Sequence, residues 1–334
     1  MSNGISHFGS RCRAAPGPTL RRSSASNSVP STLLASLFAK LWSKVLATLL
    51  LLPIPAFAQP AQQAVKGWPT DWQMSMPKGV SPVAERLDSF HDMLLVIITG
   101  ITIFVLALLL YTMIRFRRSA NPVPSKVTHN TMVEILWTVL PVVILVVIAV
   151  PSFRLMYYMD KAKSPEMTVK ITGHQWYWSY EMPDNKVDEF ASNMVPDDKL
   201  QPEHIKKLSV DYPLVVPVDT DITLLITGAD VIHSWLLPQA GVQRHAVPGR
   251  TQETWMRITV PGTYFGQCNQ ICGTLHAYMP IEVRAVPKDV FAKWTQAVAS
   301  STAKDKLRDA NEKVLGINYK WMDSPKTAEA VPAR

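Results

Sequence analysis

The 334-residue chain carries 34 Lys and Arg against 26 Asp and Glu, a net charge of +8, yet only 18% of its residues are charged and 47% are hydrophobic. Nucleic-acid-binding domains usually show a basic stripe on a polar background, so this composition excludes a nucleic-acid partner and indicates a membrane protein. Three cysteines are too few for a disulfide scaffold, and 26 prolines argue against a purely helical bundle.

Residues 1–58 have the features of an export signal, with six basic residues and no acidic one. Two lysines precede an apolar run from Val45 to Leu52, and an Ala-Phe-Ala sequence that fits a cleavage site ends at Ala58. The alternative is a first transmembrane helix, but the run is short and Pro53 follows it. We predict a leader and signal peptide over residues 1–58, cleaved after Ala58.

Residues 59–158 are predicted to form an N-terminal segment and a transmembrane hairpin. The 22 residues from Met93 to Ile114 carry no charge, which is enough for a helix to cross about 30 Å of hydrocarbon. A second apolar stretch runs from Ile135 to Val150. We predict spans at about 92–114 and 132–152; a buried soluble helix is the alternative for each. Basic residues in the short connection place it in the cytoplasm, so both ends of the hairpin face outward.

Residues 159–286 change to short runs of β character separated by Pro, Gly and Asp, which predicts a sandwich or barrel. The predicted strands are Met167–Thr172, Leu214–Val218, Ile222–Thr227, Thr254–Val260 and Ile281–Ala285. Residues 287–334 are predicted to contain a peripheral helix at Val290–Val298, followed by a loose tail.

A metal-binding pattern lies near the end of this region. Cys268, Cys272, His276 and Met279 are close enough in sequence to converge on one point, and His233 offers a second imidazole. A disulfide is the alternative for an exported Cys pair, but it leaves the imidazole and thioether unexplained. Zinc accepts Cys and His but has little use for a thioether. Thiolate, imidazole and thioether together favour copper, and two thiolates can bridge a pair of ions.

Several separated motifs resemble those of one protein family, subunit II of bacterial cytochrome c oxidases. The similarity covers roughly residues 80–300. Its motifs are His129-Asn130, Glu134, Trp137-Thr138, Pro141, Gly173–Tyr180, Val210-Asp211, Pro213–Pro217, His233-Ser-Trp235, Ala246–Arg250 and Cys268–Met279. The resemblance implies a two-helix transmembrane hairpin followed by an exported all-β, cupredoxin-like domain of Greek-key sandwich or barrel type. It also implies the bacterial inner membrane, with both termini outside and the β domain in the periplasm.

The resemblance further implies a dinuclear copper centre, CuA. Cys268 and Cys272 would bridge two copper ions, and the remaining ligands would be His233, His276, Met279 as a weak ligand and the backbone carbonyl of Gln270. Trp176 would receive electrons from cytochrome c, although core and membrane-interface positions are the usual places for Trp. The electrons would pass by way of His276 to haem in subunit I, where O₂ is reduced and protons are translocated.

Glu134 stands near the cytoplasmic start of the second span. A carboxylate at membrane depth is costly and marks a functional site by default. The resemblance implies the entrance of a proton channel that leads into subunit I, and the alternative is a side chain that reaches the membrane interface.

The implied partners are oxidase subunits I and III, cytochrome c and a copper-insertion chaperone. Cytochrome c is generally basic, and residues 160–284 hold 15 acidic against 11 basic residues, so we expect electrostatic steering onto an acidic face. The candidate docking residues are Glu181, Asp184, Asp188, Asp211 and Asp230.

One position departs from the family pattern at a second metal site. Gln270 stands where most relatives have a Glu whose side chain reaches Mg²⁺ at the subunit I interface. A neutral amide is a poorer ligand for a hard cation, so we expect weak or absent magnesium binding. Gln243 and His245 stand where relatives usually carry Lys and Asp, and the three changes together suggest a linked alteration in subunit I.

Two other functions are alternatives to this interpretation. A copper-free subunit II of a quinol oxidase is disfavoured by the intact Cys, His and Met set. The electron-entry subunit of a CuA-dependent nitric oxide reductase would share that set and differ in its acceptor. No C-x-x-C-H sequence occurs, so no attached c-type haem is predicted.

Overall fold

A computed structural model describes residues 65–67, 70–160, 162, 164–298 and 304–323. The predicted leader, signal peptide and cleavage site at Ala58 lie outside the described residues.

Two long apolar helices come first, α1 (Pro82–Arg115) and α2 (Thr131–Asp160). They are 34 and 30 residues long, with mean hydropathies of 3.0 and 2.7 over their most apolar windows. Large apolar side chains are exposed along both helices instead of being covered by protein. Lipid is the environment that suits such surfaces, because a helix satisfies its own backbone hydrogen bonds. Both helices therefore have the length and composition of the two predicted spans.

Helix α1 begins earlier than the predicted span because a cap and a tertiary contact fix its start. The N-cap residue Ser81 is fully buried, and its Oγ accepts a hydrogen bond from Ala84 N at 3.0 Å. The same hydroxyl donates to the carbonyl of Ala240 at 2.7 Å. Pro82 occupies the first helical position, where its missing N–H costs no hydrogen bond. The start of the helix is thus attached to the strand domain.

Helix α2 also runs past its predicted end, through the predicted domain boundary at residue 159. The strand domain supplies partners for carbonyls of its last turn, which have none within the helix. Trp255 Nε1 donates to Tyr158 O at 2.8 Å, and Thr254 Oγ1 donates to Met159 O at 3.0 Å. The guanidinium of Arg86, in the first turns of α1, lies 3.6 Å from the centre of the Tyr158 ring. These contacts keep the chain helical as far as Asp160.

Eleven strands make up the β domain as described. They are β1 (Val65–Gly67), β2 (Met167–His174), β3 (Tyr177–Met182), β4 (Val187–Ser192), β5 (Leu214–Pro217), β6 (Ile222–Gly228), β7 (His233–Leu237), β8 (Val242–Ala246), β9 (Gln252–Met256), β10 (Gly262–Cys268) and β11 (Pro280–Val286). The predicted strand at Thr254–Val260 is therefore shorter and begins earlier, since the chain leaves the sheet after Met256.

The strands form two sheets that enclose one core. The first sheet has the order β5-β11-β10-β7-β8, with β1 added to β10, and the second has the order β4-β3-β2-β6-β9. Neighbouring strands are antiparallel except in three pairs, which are parallel: β1 with β10, β5 with β11 and β2 with β6. Trp178, Tyr180, Leu224 and Trp235 are completely buried between the sheets. A helical hairpin followed by a β-sandwich is the predicted fold class, and the structure confirms it.

The C-terminal region is more ordered than the predicted loose tail. Helix α3 (Lys288–Val298) is followed by α4 (Lys304–Leu315) and a short 3₁₀ helix at Lys320–Asp323. Fully buried Asn311 accepts a hydrogen bond from Trp294 Nε1 at 2.7 Å and donates to the hydroxyl of Tyr319 at 2.8 Å. A buried amide with both ends satisfied fixes the packing of these elements, so the prediction of a loose tail is wrong for the described residues 304–323.

Candidate metal centre

The metal-binding residues lie where β7 and β10 meet. His233 is the first residue of β7 and Cys268 is the last residue of β10, and Cys268 pairs with Trp235. Gly266 allows this close pairing, because a Cβ atom there would lie 1.8 Å from the carbonyl oxygen of Leu236. Beyond β10 the chain forms a loop, residues 269–279, which we call the metal loop.

The structure brings the six predicted ligand residues together. The two sulfur atoms of Cys268 and Cys272 are 3.9 Å apart. His276 Nδ1 lies 3.5 Å and Met279 Sδ also 3.5 Å from the Cys272 sulfur. On the other side, His233 Nδ1 lies 4.0 Å and the carbonyl oxygen of Gln270 lies 3.3 Å from the Cys268 sulfur. Both cysteines are free, and their sulfurs are far beyond the ~2.05 Å of a disulfide bond.

Burial and hydrogen bonding favour different protonation states at the two thiols. Burial opposes ionisation of Cys268, but hydrogen bonds with His233 and the backbone of Gln270 outweigh it and lower the pKa of that thiol. Burial raises the pKa of Cys272, and the negative charge of Cys268 raises it further. Hydrogen bonds with Cys268 and Asp230 raise the pKa of His233 against the opposing effect of its burial. The pair therefore holds one thiolate readily, whereas the second requires a compensating positive charge.

The donor set fits a soft metal ion. The ligand atoms of His233, Cys268 and Cys272 all lie within 4.8 Å of one another, and all three residues are buried. Thiolate, imidazole and thioether groups prefer copper(I) and other soft ions to hard cations such as Mg²⁺. Two sulfurs at this separation can also be shared between two ions, which suits the predicted copper pair.

Asp230 orients His233, a role that its prediction as a docking residue missed. Its Oδ1 lies 2.8 Å from His233 Nε2, so Nδ1 is the ring nitrogen that faces Cys268. The carboxylate also accepts hydrogen bonds from Val231 N at 2.6 Å and Gln175 N at 2.7 Å. A carboxylate on the second ring nitrogen is the usual means of fixing a histidine ligand. The signal was in the sequence, as an acid three residues before a predicted ligand.

Gln175 and Trp176 connect the aromatic segment to the metal loop. Gln175 Nε2 donates to the carbonyl of Cys272 at 2.8 Å, a contact that the sequence did not predict. Trp176 packs against the loop at Gly273, where an added Cβ would lie 3.0 Å from its Cζ2 atom. Trp176 is partly exposed, so its indole ring extends from the domain surface to the loop.

Glu134 lies apart from this cluster, in the first turn of α2, at the opposite end of that helix from the strand domain. Its Oε1 accepts a hydrogen bond from Asn130 N at 3.2 Å. The side chain of Asn130 in turn accepts hydrogen bonds from Met132 N and Val133 N, at 3.1 and 3.2 Å. Asn130 and Glu134 thus form a reciprocal cap at the start of the helix.

Most of the predicted docking acids have partners within their own domain. Glu181 forms an ion pair with Lys170 at 3.0 Å. Asp184 accepts a hydrogen bond from Thr168 N at 2.7 Å, and Asp211 accepts one from Asn193 N at 2.6 Å. These contacts give the carboxylates a structural role, so the regional negative charge does not by itself identify a docking surface.

Comparison with known proteins identifies the family. The model of the family described as cytochrome c oxidase subunit II, periplasmic domain, matches residues 167–286, and that of its transmembrane domain matches residues 69–155. A probable cytochrome c oxidase subunit 2 from Rickettsia bellii is 44% identical over 242 residues, which cover 72% of this chain and 90% of the relative. The chain belongs to the cytochrome c oxidase subunit II family.

Other subunit II proteins show similar agreement. Cytochrome c oxidase subunit 2 of Cereibacter sphaeroides is 38% identical over 271 residues, covering 76% of this chain and 89% of that protein. The crystal structure of the periplasmic domain of subunit II from Bradyrhizobium japonicum is 44% identical, covers 44% of this chain and 99% of that structure, and has a TM-score of 0.39. The two matched family models and the sequence relatives identify the chain as a two-pass membrane component of a cytochrome c oxidase.

We expect the change Asp230→Asn to weaken copper binding roughly 10- to 100-fold, the usual effect of losing such a supporting carboxylate. The amide retains one acceptor oxygen but loses the charge that favours the required orientation of His233. Copper affinity of the purified chain in detergent, measured by competition with a chelator, tests this. Asp184→Asn is the matched control, because Asp184 accepts only from the backbone of Thr168. Equal affinity in both variants would contradict the orienting role.

Proposed function

We propose that this subunit admits electrons to the oxidase, and that Cys268, Cys272, His233, His276, Met279 and the Gln270 carbonyl hold two copper ions as a CuA centre. The observation that carries the proposal is the cluster of two thiols, two imidazoles and a thioether at the junction of β7 and β10, in which all but the His276 ring belong to buried residues. When bound, a copper pair supplies reversible one-electron storage. The same cluster disfavours the copper-free quinol oxidase alternative.

Hydrogen bonds within the protein hold the residues of this site in place. Asp230 fixes the ring of His233, and Gln175 fixes the carbonyl of Cys272. Trp178 Nε1 donates to the carbonyl of Met279 at 3.2 Å, which fixes the last residue of the metal loop. A site held by such contacts changes little in geometry when its charge changes, and this supports a role in electron transfer.

Trp176 is the proposed contact for the electron donor, cytochrome c. Its ring is partly exposed and packs on Gly273, in the metal loop between two ligand residues. An aromatic ring in this position lies between the domain surface and the metal loop. The electrons would then leave on the His276 side toward haem in subunit I, where O₂ is reduced and protons are translocated.

The remaining partners and the orientation follow from the same proposal. Subunits I and III would surround α1 and α2, whose apolar surfaces are exposed in the isolated chain. A copper-insertion chaperone would deliver the metal to the exported domain. The basic connection between the helices supports an orientation with that end in the cytoplasm and with both termini and the β domain in the periplasm of a bacterial inner membrane.

We expect Trp176→Phe to slow oxidation of cytochrome c by the assembled oxidase at least about tenfold, equivalent to ~1.4 kcal/mol in the barrier. The two-copper electron paramagnetic resonance (EPR) signal should stay unchanged, because Trp176 meets the metal loop at Gly273, which is not a proposed ligand. Tyr177→Phe, at the neighbouring residue, is the control and should oxidise cytochrome c normally. A wild-type chain with a single-copper signal, or with none after copper addition, would refute the CuA assignment itself.

At Glu134 we expect the change to Gln to slow proton uptake and turnover severalfold while the helix stays intact. Gln keeps an oxygen that can accept the hydrogen bond from Asn130 N, but it cannot carry a proton as a carboxylate does. Glu134→Ala also removes the hydrogen bond from Asn130 N, which is Glu134's half of the reciprocal cap, and so separates the two roles. Turnover and proton uptake of the reconstituted oxidase are the measurements. Wild-type rates for Glu134→Gln would show that the residue only caps α2.

At Gln270 the side chain does not fit a magnesium ligand, since its amide carries no charge. We expect the intact oxidase, purified from cells grown with manganese, to show no EPR signal from bound Mn²⁺. Gln270→Glu restores the missing carboxylate and is the informative partner variant. A manganese signal in the wild-type complex that disappears when Gln270 is changed would overturn this expectation.

A further inference from the structure

The ring of Trp176 is positioned without a hydrogen bond of its own. Its Nε1 atom is buried, and no group in the described part of the chain accepts a hydrogen bond from it. The ring packs on Gly273, where the absence of a side chain leaves room for it. Gln175 and Trp176 are the two residues that connect β2 to β3. Because the ring makes no directional polar contact, its position depends on the conformation of this two-residue turn.

A stack of two rings forms the base of the turn. His174, the last residue of β2, and Tyr177, the first residue of β3, are paired across the antiparallel strands. Their rings are stacked, with an angle of 1° between the ring planes and 4.5 Å between the ring centres. Ring pairs of this kind stabilise the cross-strand contact on which a turn is built. The stack therefore fixes the direction in which the turn leaves the sheet.

The imidazole of His174 is held in turn by a chain of two hydrogen bonds. Its Nε2 lies 3.0 Å from Ser179 Oγ, and Ser179 Oγ donates to Glu189 Oε1 at 2.5 Å. A hydroxyl has one proton to donate, so Nε2 carries the ring proton and donates to Ser179. Burial lowers the pKa of His174, which keeps the ring neutral at neutral pH with a single N–H. Ser179 is itself buried in the sheet, so the imidazole is attached to a rigid part of the domain.

We propose that His174 is a positioning residue for electron entry at Trp176. Ser179 and Glu189 fix its ring, and its stack on Tyr177 fixes the turn that places Trp176 on the metal loop. This inference rests on the proposed function and extends it from the entry residue to the group that positions it. A displacement of a reacting group by about 1 Å can cost up to ~100-fold in rate, so the anchoring of this turn controls how fast electrons enter.

The test compares Ser179→Ala with Ser192→Ala in the assembled oxidase. Both serines are buried in the second sheet and neither change alters the charge, but the Ser192 hydroxyl has no hydrogen-bond partner among the described residues. We expect Ser179→Ala to slow the single-turnover oxidation of bound mammalian cytochrome c roughly three- to tenfold, because the imidazole loses its anchor. The KM should change by less than about twofold, and the two-copper EPR signal should stay as in the wild type. Ser192→Ala should match the wild type in all three measurements.

Two changes at Tyr177 test the other half of the stack. Tyr177→Phe keeps the ring that stacks on His174 and should leave the single-turnover rate as in the wild type. Tyr177→Ala removes that ring and should slow the oxidation of bound cytochrome c as Ser179→Ala does. Equal rates for Tyr177→Ala and Tyr177→Phe would contradict a role for the stack.

Three results with Ser179→Ala would overturn the inference. The first is a rate equal to that of Ser192→Ala. The second is a slower reaction that comes only from a raised KM, which would assign the chain to docking. The third is a changed copper EPR signal, since Gly173 lies against the ring of His233 and the variant would then act on the metal centre. A normal rate of cytochrome c oxidation in Trp176→Phe would refute the proposed entry at Trp176, and the positioning role with it.

Discussion

The site depends on the pairing of β7 with β10, which sets His233 beside Cys268. The register joins Cys268 to Trp235 and Gln267 to Leu236. Only a glycine at position 266 allows the two backbones to approach this closely. A side chain there would force the strands apart and move the imidazole on one strand away from the thiol on the other. The geometry of the whole cluster is therefore set by backbone contact between two strands.

Around that junction, hydrogen bonds from residues that are distant in sequence position the candidate metal-binding residues. The carboxylate of Asp230 is hydrogen-bonded to His233 Nε2 and to the backbone N–H of Gln175. The side chain of Gln175 in turn donates to the carbonyl of Cys272. The carboxylate of Asp230 therefore has two roles: it orients the ring of His233, and it orders the segment that carries Trp176. The ligands and the surface aromatic are thus parts of one connected structure, and a change at one affects the position of the other.

The sequence predicted the membrane helices, the β-sandwich and the residues that the structure gathers at the site, because each has a local signal. Unbroken hydropathy marks a span, and the closely spaced Cys, His and Met residues mark a metal loop. It did not predict where α1 begins, because Ser81 is fixed by a contact with Ala240, which is far away in the chain. It also missed the order of the C-terminal region, since helix α4 is largely polar and is held by the buried amide of Asn311. Charge counting suggested acidic docking residues but could not show that Asp230 is committed to His233.

The attachment of both membrane helices to the strand domain has a mechanical consequence. Ser81 fixes the N-terminal end of α1 to Ala240, and Trp255 holds Tyr158 at the C-terminal end of α2. With two fixed points, the sandwich cannot swivel on its membrane anchor as a tethered domain on a flexible linker would. A tilt of the helices, such as a bilayer of different thickness imposes, would therefore also move the strand domain that carries the candidate metal centre. The thickness of the bilayer would in this way affect the position of that centre.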